Sequence, residues 1–188
     1  MDNRSGLLAA ALALFTARGY DAVGVQEVAA TAGVAKPTLY HFFGSKLGLL
    51  EALFAEYARP LDEAVEAAAD YRGDLPASLD RVVRAYLDFS AREPAYYRLE
   101  LASCFAARDG DPHRLAVAHF ARRQAALEEM FRRAARDHGN MRGRERRYAV
   151  SLVGHINAYV ALRQDGHLVV TDRVRQDMVH QFSHGIYS

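Results

Sequence analysis

VQEVAATAGVAKPTLYHFFGSK, residues 25–46, is the stretch on which the reading of this chain turns. Two short runs of helix-forming residues flank Gly33. Val25 to Thr31 makes the first, and Lys36 to Phe43 the second, with Pro37 in its opening turn. On the second run Leu39 and Phe43 are four apart and share one face. Val28 and Ala29 give the first run an inner face, with Val25 beside them, and Val34 and Leu39 close the small core between the two. Ala29 and Ala32 are small enough for the helices to cross steeply. Two short helices joined by a tight, glycine-containing turn define a helix-turn-helix. In such units the N-terminal half of the second helix enters the DNA major groove. Lys36 and Pro37 open that helix here, and Thr38, Tyr40 and His41 point away from the buried pair. An amine, a hydroxyl, a phenol and an imidazole can reach phosphate oxygens or base edges.

Working outward, the flanks are helical too. Upstream, Leu8, Ala11, Leu12 and Phe15 follow the i, i+3, i+4, i+7 spacing of one buried face, so a helix spans about 5–17 and Gly19 ends it. Downstream, Gly44-Ser45 breaks the second short helix, and Ser45 is placed to cap the next. That helix covers about 46–70, with Leu47, Leu50, Phe54, Tyr57, Leu61 and Val65 in one stripe and Pro60 predicting a kink. Asp74-Leu75-Pro76 opens a helix that turns Leu79, Val82, Val83, Tyr86 and Phe89 inward. Glu93-Pro94 opens one with Tyr97, Leu101, Cys104 and Phe105, and Asp111-Pro112 opens one reaching about Asp137. Residues 138–144 read as a polar loop, and two last helices cover about 145–164 and 173–186. No stretch reads as a strand. The expected fold is all-α, with about nine helices: a three-helix helix-turn-helix head over 1–46, and a helical body over 47–188 for ligand sensing and dimerisation.

Composition narrows the function. The 188 residues are 51% hydrophobic, with only 13 Gly and 5 Pro, as suits a helical core. A net charge of +1 excludes coating DNA by charge alone. A specific binder needs only a few placed contacts. Both lysines, Lys36 and Lys46, lie in the head stretch, whereas acids dominate residues 51–74 and arginines cluster from Arg132 to Arg147. That cluster reads as a solvated helix end and loop. Cys104 is the single cysteine, so no intrachain disulfide forms. His180 and His184, four apart, are half a helical metal site and read as a surface pair. No metal or cofactor is expected. No apolar run reaches bilayer length, and no secretory pattern opens the chain, so a cytoplasmic protein without membrane contact is expected. No Ser-His-Asp set, paired carboxylates or phosphate loop stands out, which argues against an enzyme.

Phe15, Arg18-Gly19-Tyr20, Val28-Ala29, Ala32-Gly33-Val34, Lys36-Pro37-Thr38-Leu39-Tyr40, Phe43, Ser45-Lys46 and Leu50 occur in one order and spacing. In that combination residues 7–54 resemble the DNA-binding head of the TetR family of transcriptional regulators. The rest of the chain resembles the family only in helicity and length. The resemblance implies that Tyr40 and Lys46 contact phosphates and that Thr38 and His41 face the groove. It places Lys36 and Pro37 near the DNA backbone and Gln26 against a phosphate or a base. Two positions depart from the pattern. Gly24 stands where a Thr or Ser often caps the first short helix. Phe42 stands where histidine is frequent, and its ring either touches a thymine methyl or packs inward.

One helix reads few bases, so a homodimer on a palindromic double-stranded operator is expected. Tyr148, Leu152, His155, Ile156, Tyr159 and Val160 form one stripe on the last two helices, and Val174, Met178, Phe182 and Ile186 form the other. The resemblance implies a four-helix interface built from them, centred on Leu152, Ile156, Tyr159, Val160, Met178 and Phe182. The same stripes also suit the core of the single chain. The resemblance further implies a small-molecule effector pocket in the middle helices. Tyr86, Phe89, Tyr97, Cys104, Phe105 and Phe120 suit an apolar or aromatic ligand, with Arg123 and Asn157 to orient it. Each of these suits plain core packing as well. The expected function is a sequence-specific DNA-binding regulator, a repressor released by its ligand. The alternatives are a helical interaction module, or a bundle enzyme, that keeps the head fold without binding DNA.

Overall fold

Asp2 opens the chain's first helix. Its carboxylate accepts hydrogen bonds from the backbone N–H groups of Arg4 (2.6 Å) and Ser5 (3.0 Å), so α1 (Asn3–Arg18) starts two residues before the apolar spacing predicts. The computed structural model describes residues 2–185, apart from the side chain of Asn140. Ile186 lies outside the described residues. After α1 come α2 (Val25–Thr31), α3 (Lys36–Phe43), α4 (Lys46–Ala68), α5 (Leu75–Arg92), α6 (Pro94–Cys104), α7 (Asp111–Ala134), α8 (Glu145–Gln164) and α9 (Asp172–His184). Among the described residues there are nine α-helices and no strand, the all-α architecture expected. A 3-10 turn, Gly139–Met141, sits within the predicted polar loop.

The starts obey local chemistry. Ser45 Oγ accepts from the Gly48 N–H at 2.9 Å, and Asp74 Oδ1 from the Ala77 N–H at 2.9 Å, as the capping residues require. Two ends fall short of the predicted ones. Helix α4 continues through Pro60 but stops at Ala68, and α7 stops at Ala134. Beyond the first, the Asp70 carboxylate accepts from Arg72 and Arg133 at 2.9 and 3.0 Å. Those side-chain bonds hold its carboxyl below the usual range. No helix among the described residues is long and apolar enough to cross a membrane.

The chain divides into two compact units, Met1–Arg59 with Glu93–His119, and Pro60–Arg92 with Phe120–Ser188. In the first, α1 packs on α2, α3 and α6. Leu7, Leu8, Ala11 and Phe15 of α1 are buried with Val28, Ala29, Leu39, Leu50 and Phe54. Phe54 meets Tyr96 edge-on at 5.6 Å, and Tyr57 stacks on the same ring at 5.7 Å. Thr16 Oγ1 donates to the Ala95 carbonyl at 3.1 Å, tying α1 to the start of α6.

In the second unit α5 packs against α8 and α9. Leu79, Val82, Val83, Tyr86 and Phe89 all point inward, as their spacing predicts. Arg163 reaches back to the Leu87 carbonyl (3.1 Å) and Ser90 Oγ (2.7 Å). Arg123 and Asp62 form an ion pair at 2.8 Å with both side chains almost fully buried. Arg133, part of the arginine cluster, binds Asp70 at 3.0 Å and the Tyr71 carbonyl at 2.7 Å. Most of the cluster's other members are exposed.

Candidate nucleic-acid interface

The turn between α2 and α3 is built around Gly33, whose φ of +70° lies in the left-handed region that side chains disfavour. Around it the Ala32 and Val34 N–H groups donate to the Val28 and Ala29 carbonyls, each at 3.0 Å. Leu39 then faces inward with no exposed surface, and Phe43 is half-buried on the same side. Helix α3 is thereby held by one edge, and the rest of its circumference is presented outward. No side chain caps α2 or α3, at Gly24 and Ala35 respectively. The free N–H groups opening a helix favour an approaching anion.

Lys36, Pro37, Tyr40 and His41 are exposed on α3, Thr38 is half-buried, and Gln26 is exposed on α2. Lys36 Nζ stands 5.6 Å from the centroid of the Tyr40 ring, so ammonium and phenol share one flank of the helix. Lys46 is held differently. Its Nζ lies 4.1 Å from the Tyr20 ring centroid and 3.5 Å from the Asp21 carbonyl oxygen. Burial, reinforced by Asp111 and Asp21, pushes the Tyr20 phenol up to about 12, so the ring under Lys46 stays neutral. A cation held over a ring costs less entropy to bring to a phosphate than one on a free stem. Nothing in the spacing of Arg18-Gly19-Tyr20 and Lys46 shows that they meet. They are 26 residues apart, and only the packing of α4 beside the loop after α1 joins them. Phe42 does not pack inward: it is 41% exposed.

Gly48 is a second feature that spacing alone does not reveal. A Cβ on it would lie 2.0 Å from the Phe43 carbonyl oxygen, where real Cβ atoms essentially never come within 3.0 Å. The first turn of α4 therefore touches the last turn of α3, and only glycine permits that approach.

Residues 7–53 match the profile of the tetR family of bacterial regulatory proteins. Beyond that head, the chain is 34% identical over 152 residues to the HTH-type transcriptional activator FasR of Mycolicibacterium smegmatis, covering 81% of this chain and 68% of FasR. The chain belongs to the TetR family. It is a DNA-binding transcriptional regulator. The likeness to the E. coli repressor BdcR, 42% over 69 residues, spans only 37% of this chain and 34% of BdcR. Two solved structures share the TetR fold over 97% of this chain and 99% of theirs. They are Bacillus subtilis FadR in complex with stearoyl-CoA (TM-score 0.79, 17% identity) and PfmR from Thermus thermophilus (TM-score 0.74, 22% identity).

Outside the TetR head, the two units divide the residues singled out for a ligand. Tyr97, Cys104 and Phe105 lie in the first, Tyr97 buried, Cys104 half-buried and Phe105 84% exposed just past the end of α6. The second contains Tyr86, Phe89 and Arg123, all buried, with Phe120 and Asn157 half-buried. Arg123 is engaged by Asp62.

The residues singled out for a TetR dimer sit mostly inside the single chain. Leu152, Ile156 and Met178 have no exposed surface and Val160 has 1%. The reason is geometric: α8 turns that face to its own α5 and α9. Tyr159 is half-buried, its hydroxyl donating to Gln181 Oε1 at 3.4 Å, and Phe182 lies 6.3 Å from Phe131. The outer face of α8 is a different set. Val150 (48% exposed), Ser151, Gly154, Ala158, Ala161 and Leu162 (46%) recur at three and four.

Proposed function

We propose that this protein is a homodimeric repressor, without enzymatic activity, that leaves a palindromic operator when a small apolar or aromatic effector binds. The exposed face of α3 carries the reading: an amine, a phenol and an imidazole on a helix fixed from behind by Leu39. Gln26, Lys36, Pro37, Thr38, Tyr40, His41 and Lys46 are its DNA contacts. Tyr40 and Lys46 act on phosphates, and Thr38 and His41 on base edges. Residues 1–46 act as the reader and 47–188 as the sensor and dimerisation body. The decisive experiment is a gel shift with duplexes selected by the protein from random DNA. Absence of any salt-sensitive, sequence-specific complex overturns the reading.

Lys46→Gln takes away one phosphate-neutralising charge per subunit. Affinity for the selected duplex is expected to fall roughly tenfold, and the slope of log affinity against log salt to shrink by about 1 for each phosphate no longer neutralised. An unchanged slope would place Lys46 off the DNA.

Support for an apolar effector comes from the aromatic side chains Tyr86, Phe89 and Phe120, with Arg123 and Asn157 as orienting groups. The fold shared with FadR, solved with stearoyl-CoA, adds to it. Stearoyl-CoA is therefore the first probe, followed by a panel of apolar and aromatic acids. The effector is expected to raise the melting temperature and weaken the gel shift. FasR is an activator and BdcR a repressor, so the sign is read with a reporter, where repression relieved by the effector is expected.

The outer face of α8 fits a second copy of this chain, because Gly154 and Ala158 let two backbones approach closely across a two-fold axis. Ala158→Arg brings two like charges together there. It is expected to yield a monomer by sedimentation, with an unchanged helical spectrum. An intact dimer would move the interface elsewhere.

A further inference from the structure

Exposed large apolar side chains are few among the described residues, and two of them, Tyr40 and Phe42, stand on α3. Tyr40 has a phenol to offer DNA, and Phe42 has nothing polar. Phe42 is 41% exposed, and its ring meets His41 edge-on at 5.4 Å and lies tilted against Phe43 at 6.1 Å. At about 100° per residue, Phe42 stands roughly 40° round from Thr38 and one turn further on. The eight residues of α3 span about 12 Å, so Phe42 lies within one turn of the N-terminal half that enters the groove. Phe42 sits about 6 Å along the axis from Thr38, near two base-pair steps.

We infer that Phe42 reads the C5-methyl group of a thymine in the operator. The inference rests on the DNA-binding role proposed above and specifies what that site recognises. The thymine methyl is the apolar feature of the major groove, and an aromatic side chain is one of its recognised partners. A phenyl ring on a base-reading helix is best desolvated against that methyl, whereas a phosphate would leave the ring unpaired with any charge. Phe42 thus supplies specificity and no salt dependence, unlike Lys46.

The test uses the full-length protein and the duplex it selects from random DNA. Each thymine is replaced in turn by deoxyuridine, which removes the methyl and keeps the base pair. One symmetry-related pair of positions is expected to weaken wild-type binding by about fourfold per half-site, the effect of one buried methyl. Phe42→Ala is expected to bind the parent duplex more weakly and to be indifferent to uracil at those two positions. Its salt slope should match wild type, and Phe42→Leu should retain part of the methyl preference. A Phe42→Ala variant as sensitive to uracil as wild type overturns the inference, as does a reduced salt slope for that variant. A wild-type protein that selects no site overturns both this inference and the function it rests on.

Discussion

Gly48→Ala is expected to unfold the DNA-binding head's α3–α4 junction and abolish operator binding, against the usual direction of such a change. Glycine to alanine inside a helix ordinarily stabilises by about 1 kcal/mol, because alanine loses less backbone freedom. At Gly48 the added methyl would lie 2.0 Å from the Phe43 carbonyl oxygen and 3.2 Å from its carbon. The obstacle is backbone, so no side chain can rotate away. Helix α3 or α4 must move by about 1 Å to restore the 3.0 Å that Cβ atoms need. The same carbonyl accepts the Ser45 N–H at 2.7 Å, and Ser45 in turn caps α4 at Gly48. Movement therefore breaks the cap as well. A net loss of about 2–3 kcal/mol is expected from overpacking of this kind, seen as a lower melting temperature. Gly6→Ala in α1 is the control. Nothing lies within 4 Å of the methyl it adds, so a small rise in melting temperature is expected. A rise for Gly48→Ala too would show that the junction yields freely.

More of the head than of the body is legible in the sequence, for a physical reason. In α2 and α3 the inner residues follow helical spacing across one tight turn, so Val28, Ala29 and Leu39 can be placed from the pattern alone. All three are buried. Cap residues such as Ser45 and Asp74 act within three positions of themselves, and both act as their chemistry requires. What stayed hidden needed distant chain segments to meet. Lys46 finds Tyr20 only through the loop after α1. Gly48 looks like an ordinary weak point in a helix until α3 is laid against it. In the body, apolar spacing on α8 marked a buried face without saying what buries it. Leu152 and Ile156 are covered by the chain itself. The small and apolar residues on the other face, around Gly154 and Ala158, carry a weaker hydrophobic signal.

Removing the Asp62 carboxylate is expected to cost more stability than any surface change in the second unit, and removing its partner as well should recover most of that loss. Asp62 Oδ1 and Arg123 Nη1 are 2.8 Å apart, with side-chain exposures of 2% and 4%. Arg123 comes from α7 and Asp62 from the part of α4 beyond Pro60. Just outside, Glu66 and Arg122 pair at 2.7 Å, but both are well exposed and worth little. The buried pair is different in kind. Asp62→Ala takes the carboxylate at 2.8 Å away from a buried guanidinium, and losses of about 3–5 kcal/mol follow from breaking such pairs. Asp62→Leu with Arg123→Met replaces the pair by apolar groups of similar size. Its stability is expected within about 1–2 kcal/mol of wild type, because the double change also removes the desolvation penalty. Thermal and urea unfolding of wild type, both single variants and the double variant complete the cycle. The effector titration is then repeated on the double variant. If Arg123 orients the ligand, that variant folds normally but loses the effector's stabilisation. If Arg123 does not touch the ligand, the effector shifts the melting temperature as it does in wild type. Single variants as stable as wild type would mean that water reaches the pair, contrary to its burial.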